Sequence, residues 1–225
     1  MTRRLLTIAT AAAVVCLAAC GGSSSNGEAS KSASAILADA RQAADDAGSV
    51  TVSGRITDSG QTIGLHLSIG RDGGSGSMTI QGSKVDIVRI GKTVYLRAPA
   101  SFYTAVGAGA AAGQLLDGKW LKASAAGKDF ADLAKLTEVD TFVARALKPD
   151  GTVSKGSETT VKGQKVIELK DSKGGSLYVA TTGKPYPVEL EGTGSQSGTL
   201  ELTDWGAAVK PTAPKGAIDL AKLGG

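Results

Sequence analysis

From Ser49 onward, apolar residues recur at every second position: Val50, Val52 and Ile56, then Ile63, Leu65, Leu67 and Ile69, alternate with Ser, Thr, Gly, Arg and His. A period of two places the apolar side chains on one face of a strand and the polar ones on the other. Turn residues at 58–60 and 72–74 bound these runs, so the strands connect as hairpins. The same rule predicts strands at Met78 and Ile80, over residues 85–90, and at Val94 and Leu96 after a turn at Gly91 and Lys92. In the fourth run Ile87 and Val88 are adjacent, which predicts a bulge or a stretch covered on both faces. Ahead of the strands, Ala33, Ile36, Leu37, Ala40, Ala44 and Ala47 lie on one stripe at helical spacing, and Gly48 ends that helix.

Between Ser101 and Leu147 the spacing is helical again, first in an Ala-rich stretch from Phe102 to Leu116. After a short extended piece at Trp120 and Leu121 it resumes through Phe130, Leu133, Leu136, Val139, Phe142, Val143 and Leu147. Pro149 and Gly151 stop it. Strands return around Val166–Leu169, Leu177 and Val179, Val188 and Leu190, and Leu200 and Leu202, with hairpin turns at 173–175 and 192–198 and a Pro-containing tail. Short turns reach every strand neighbour. The predicted layout is therefore α+β, an antiparallel meander that curls, with helices laid over one face of a single domain.

The first 19 residues follow another rule. Arg3 and Arg4 precede an apolar run from Leu5 to Ala19 that closes on small residues, the order of a secretory signal peptide and short for a spanning helix. The tetrad Leu17, Ala18, Ala19, Cys20 resembles the bacterial lipobox. That resemblance implies that residues 1–19 are removed, that Cys20 takes a diacylglyceryl thioether, and that palmitate-class chains hold the protein on the outer face of the cell membrane. The competing reading is an ordinary export signal that happens to contain Cys20. Cys16 lies in the leader, so the mature domain keeps neither a disulfide nor a reactive thiol. Residues 20–31, rich in Gly and Ser, are expected to form a flexible lipidated tether, and 32–225 the domain.

Composition narrows the function. The formal net charge is +4, but with Arg3 and Arg4 in the leader only about +2 remains on the mature chain, which gives no basis for a nucleic-acid partner. His66, the only histidine, falls on a polar strand face and reads as a solvated side chain. No Ser sits in a Gly-x-Ser-x-Gly elbow, the glycine-rich stretch 70–76 lacks the Lys of a phosphate loop, and Asp39, Asp45 and Asp46 share one wet helix face. The sequence thus predicts no catalytic residue, no metal site and no cofactor, and the chain is not expected to be an enzyme.

The lipobox, the helix running into Ser49–Gly54, the pair of strands over 85–96 with Tyr95, and the tail Leu200–Trp205 followed by Val209 and Pro211 together resemble the LppX and LprG lipoproteins of mycobacteria. These are relatives of the lipoprotein carrier LolA. The resemblance implies a curved antiparallel half-barrel of about 10–11 strands with helices covering the concave face. It also implies an acylated lipid or glycolipid held in an apolar cavity, and a role in moving or presenting that lipid across the envelope, where an envelope lipid exporter is a natural partner.

Carrying a chain of about sixteen carbons through water costs roughly 12 kcal/mol, at ~0.8 kcal/mol per CH2, so a carrier needs a dry lining. The alternating strands offer one, and the small residues over 105–112 suggest a lid that leaves room beneath it. The expected lining is Val52, Ile56, Leu65, Leu67, Ile80, Leu96, Leu115, Leu133, Phe142 and Leu202. The alternative is a membrane-tethered interaction, scaffold or regulatory domain, in which those small residues only permit dense packing and the core is filled. Trp120 and Trp205 are expected to anchor the ends of the core with the indole N–H bonded to backbone, the alternative, for Trp120 above all, being a rim position in contact with lipid or membrane.

Overall fold

The computed structural model describes residues 24–127, 130–194 and 196–222; the expected leader, residues 1–19, and Cys20 lie outside the described residues. The first apolar stripe forms α1 (Ala33–Ala47). Ser32 caps it by accepting the N–H of Ala35 at 3.3 Å, and Gly48 ends it at φ 65, a left-handed turn that costs glycine little. The alternating runs form β1 (Ser49–Asp58), β2 (Gln61–Gly70), β3 (Gly73–Ile80), β4 (Ser83–Ile90) and β5 (Thr93–Arg97), each antiparallel to the next.

β4 contains no bulge, contrary to the expectation drawn from Ile87 and Val88: its register with β3 and β5 is unbroken. Val85, Ile87 and Arg89 are the buried set, and Val88 belongs to the other face, opposite Tyr95. Alternation is thus intact in geometry, and its chemistry breaks only because an arginine takes an inward position. Arg89 is 3% exposed. Its guanidinium donates to the carbonyl oxygens of Thr137 (2.8 Å), Gly70 (3.0 Å) and Gly91 (3.2 Å) and to Thr137 Oγ1 (3.1 Å). Burial lowers its pKa from the ordinary value.

The Ala-rich stretch departs from the reading of it as a lid. Gly107 (φ 91) and Gly109 (φ 80) split it into α2 (Ala100–Ala105) and α3 (Ala110–Leu116). The two helices pack on each other at Gly113, where a Cβ would come within 2.9 Å of the Ala100 carbonyl oxygen. Only Tyr103, with Phe102 and Leu116, reaches the small cluster of Val85, Leu96, Ala98 and Leu121; residues 105–111 are exposed. With one apolar side per helix already spent on that cluster, the small side chains point to solvent. They cover no gap.

β6 (Trp120–Ser124), α4 (Ala131–Leu136) and α5 (Val139–Ala146) follow. Val139, Val143 and Leu147 join Ile36, Leu37, Ala40 and Ala44 of α1 against Val52, Leu67, Ile69, Met78 and Leu202, forming the principal core. The remaining strands are β7 (Val153–Val161), β8 (Gln164–Asp171), β9 (Ser176–Ala180), β10 (Pro187–Gly192), β11 (Gln196–Thr203) and the two-residue β12 (Ile218–Asp219). Twelve strands form one sheet in the order β12-β6-β5-β4-β3-β2-β1-β11-β10-β9-β8-β7, and the edge strands β12 and β7 do not pair with each other. The sheet stays open. Register shifts occur between Lys155 and Glu158 of β7 and between Pro187 and Glu189 of β10, and β12 runs parallel to β6.

Residues 25–31, expected to belong to a free tether, are docked. Ser25 bridges Thr182, and the backbone N–H of Asn26 donates to the Thr181 carbonyl at 2.9 Å. The Asn26 carboxamide donates to the carbonyls of Ala180 (3.0 Å) and Gly183 (3.1 Å). A single helical turn, Glu28–Ser30, then buries Glu28, whose carboxylate receives Lys31 Nζ at 2.7 Å. A small polar segment reads as flexible in sequence, but here its side chains satisfy strand-end carbonyls that water would otherwise have to reach.

Candidate functional site

The sheet is not filled throughout. Where β8, β9, β10, β11 and β1 terminate near the α5–β7 connection, a hollow of about 340 Å³ opens to solvent. Its walls are apolar side chains that alternation aims inward: Leu169, Leu177, Leu190, Leu200 and Ile56 from the strands, with Leu37 of α1 and Leu147 behind α5. Leu190 stands directly opposite both Leu177 and Leu200. On the helix side it is bounded by Leu37 of α1, by Arg145 and Ala146 at the end of α5, and by the connection Leu147 to Asp150 that follows. Gly198 helps form the wall. Its φ is +133, and a Cβ there would lie 2.2 Å from the Arg55 carbonyl oxygen, so only glycine lets β11 stay this close to β1.

The mouth carries charge of both signs, differently engaged. The Asp171 carboxylate accepts the N–H groups of Lys173 (2.8 Å), Asp150 (2.7 Å) and Gly151 (3.1 Å), and these bonds, that from Lys173 foremost, hold its pKa below the ordinary carboxylate value. Glu191 accepts the Tyr178 hydroxyl at 3.0 Å. Burial, then that bond and the nearby carboxylates, push the phenol up to about 12. Arg145 and Lys148, both exposed, make no ion pair or side-chain hydrogen bond among the described residues. The site is therefore a greasy pocket with two uncommitted cations at its lip.

A second hollow, about 370 Å³, lies at the opposite ends of β10 and β11 between Lys162, Glu189, Glu201, Tyr186 and Trp205. It is polar. Trp205 donates its indole N–H to the Pro187 carbonyl at 2.7 Å and stacks on Tyr186 with ring centres 5.6 Å apart. Lys162 pairs with Glu201.

No family model matches the sequence, and no curated protein matches it significantly. Among solved structures, LprF from Mycobacterium bovis superposes over 82% of this chain and 97% of its own with a TM-score of 0.58, at 13% identity. The chain has the LprF fold. The lipoprotein LppX from Mycobacterium tuberculosis aligns over 79% of this chain and 98% of its own at 16% identity, with a TM-score of 0.49.

Within this LprF-like half-barrel the ten residues expected to line a cavity are dispersed. Ile56 is the one that lines the apolar hollow. Val52, Leu67 and Leu202 are buried in the principal core, Leu96 in the smaller one, and Leu65, Ile80, Leu133 and Phe142 pack partly buried against the principal core. Leu115 is 65% exposed on α3. Sequence reasoning missed Leu37, Leu147, Leu169, Leu177, Leu190 and Leu200 because core and cavity use the same alternation. Gly174 and Gly175 before β9, and Gly192 and Gly198 in β10 and β11, also line the hollow. His66 lies exposed between Ser53 and Ser77 in the neighbouring strands, and no helix of the described residues is long and apolar enough to cross a membrane.

Proposed function

We propose that this protein is an envelope lipoprotein, anchored outside the cytoplasm through acylated Cys20, that holds an acyl chain in the hollow at the ends of β8–β11 and β1. It carries or presents acylated lipid without chemistry. The observation that supports this is the open apolar hollow itself. A cavity of ~150 Å³ takes up a benzene ring, so about 340 Å³ accommodates roughly 14 carbon atoms. Withdrawing that many methylenes from water is worth up to about 11 kcal/mol before ordering costs. The volume also falls at the lower end of ligand pockets, ~300–1,000 Å³, which suits one chain at a time. Resemblance to mycobacterial lipoproteins supports the same reading, with an envelope lipid exporter as the partner that loads or unloads the site.

The dense core over β1–β5 supports a second reading, a filled interaction or scaffold domain, and one experiment separates the two. The domain is produced from Ser23 in a lipid-rich host, and native mass spectra are recorded before and after solvent extraction. An extractable adduct of acyl mass, and uptake of a fluorescent fatty acid by the extracted protein, are expected. Absence of both rejects the carrier reading and leaves the filled domain. The anchor is checked separately by palmitate-analogue labelling of the membrane fraction against Cys20→Ala.

A further inference from the structure

The docked N-terminal segment fixes more than its own position. Ser25 bridges Thr182 and Asn26 holds the carbonyls of Ala180, Thr181 and Gly183, so the chain enters the domain at the C-terminal end of β9. The clamp is reinforced from two other elements. Lys31 is shared between Glu28 and Asp39 of α1, and Lys155 of β7 donates to the carbonyls of Ala29 and Lys31, both at 3.1 Å.

The cavity mouth sits at the other end of the same strands. Ser176 and Gly192 line it, while Ala180 and Pro187 mark the clamp end of β9 and β10. The six residues of β10 separate the two ends by roughly 17 Å at the strand rise. Next to the clamp, Gly183 accepts from Asn26, and the turn it begins carries Lys184, Pro185 and Tyr186. Lys184 Nζ lies 5.8 Å from the Tyr186 ring, which stacks on Trp205. All three side chains are at least partly exposed.

We propose that this corner is a membrane foot: with Cys20 acylated, Lys184, Tyr186 and Trp205 rest on the lipid surface that holds the anchor, and the cavity mouth is directed away from it. The inference rests on the anchoring reading above and adds an orientation to it. Chain length supplies the occupant. Five residue steps join Cys20 to Ser25 and span at most about 18 Å fully extended, so the clamp end cannot stand far from the bilayer. The corner's chemistry fits that place, since Trp and Tyr rings prefer the headgroup level and a lysine stem lies along apolar surface with its ammonium in water. A mouth that opens away from the anchoring membrane exchanges lipid with a partner or layer beyond it.

The test uses the full chain, processed and acylated in its host, purified in detergent and reconstituted into phosphatidylcholine–phosphatidylglycerol vesicles with brominated acyl chains. The protein has 2 Trp, so Trp120→Phe reports on Trp205 alone and Trp205→Phe on Trp120 alone. Trp205 emission is expected to shift to the blue and lose intensity to bromine, while Trp120, across the sheet on β6, keeps its intensity. An environment-sensitive dye on Thr193→Cys, beside the mouth, is expected to emit as it does on the unanchored domain. Vesicle-bound protein with unquenched Trp205, or with the Thr193 dye moved to an apolar environment, overturns the orientation and leaves the anchor standing. Protein that fails to float with vesicles and takes up no palmitate overturns anchor and orientation together.

Discussion

Leu190→Trp is the sharpest probe of the cavity. Leu190 faces Leu177 and Leu200 across the strand pairs and is only partly buried, because the space in front of it is empty. Tryptophan adds roughly six non-hydrogen atoms, which by the benzene measure take up about 150 Å³ of the 340 Å³. A bound chain then loses about six methylenes of contact, or ~5 kcal/mol at ~0.8 kcal/mol each. Affinity for a long-chain fluorescent fatty acid is expected to fall by three to four decades, about tenfold per 1.4 kcal/mol. An eight-carbon analogue is expected to lose far less. Folding stability moves little, because the ring enters existing space. The same change at Leu67, 3% exposed and paired with Val52, overpacks a closed core and costs at least ~1–3 kcal/mol. Displacement titration and urea unfolding of the two variants check both halves. Unchanged affinity in a folded Leu190→Trp protein, or equal destabilisation at the two sites, refutes the claim that the sheet is hollow around Leu190 and solid around Leu67.

Arg89→Met leaves the carbonyls of Gly70 and Thr137 without their donor and is expected to cost about 3–5 kcal/mol in chemical denaturation, with Arg89→Lys recovering part of it. Glu189 has its pKa raised, first by burial and then by Glu201 and Glu191. Its ionisation therefore destabilises the fold above the raised value, and the penalty is relieved as pH falls below the unfolded carboxylate value. Glu189→Gln is expected to raise the thermal midpoint at neutral pH and to lose that advantage near pH ~4, read from midpoints across a pH series. At the cavity lip, Arg145 and Lys148 are uncommitted, so a fatty acid is expected to bind several-fold more tightly than its methyl ester, at ~0.2–1 kcal/mol per exposed pair. Salt and the double change Arg145→Gln with Lys148→Gln should each erase the difference in a competition assay.

The parts of the fold that were legible are those in which one face is wet and the other dry. α1, β1 to β5 and β8 to β11 all carry such a contrast, and their turns carry Gly, Asp or Lys. β7 carries almost none, because its residues Val153–Val161 are mostly exposed at a sheet edge and need no apolar set. β12 is two residues long and pairs in parallel, beyond the reach of any periodicity. Arg89 hid an inward position behind a charge, since a guanidinium that finds several carbonyls can occupy a core site that composition assigns to solvent.

The cavity was illegible for a different reason. Val52, which fills a core, and Ile56, four residues further along the same face, are the same kind of residue in the same alternation on β1. What separates them is that Val52 meets packed side chains of the principal core while Ile56 borders open space shared with Leu37 and the end of α5, a matter of tertiary path. Small residues were the wrong place to seek room: in α2 and α3 they let two helices touch at Gly113 and left the rest in water. The room lies instead at strand ends, between Leu169, Leu177, Leu190 and Leu200 and the end of α5. In this chain the hollow lies at the strand ends remote from the docked N-terminal segment, bounded by Leu37 and by the last residues of α5.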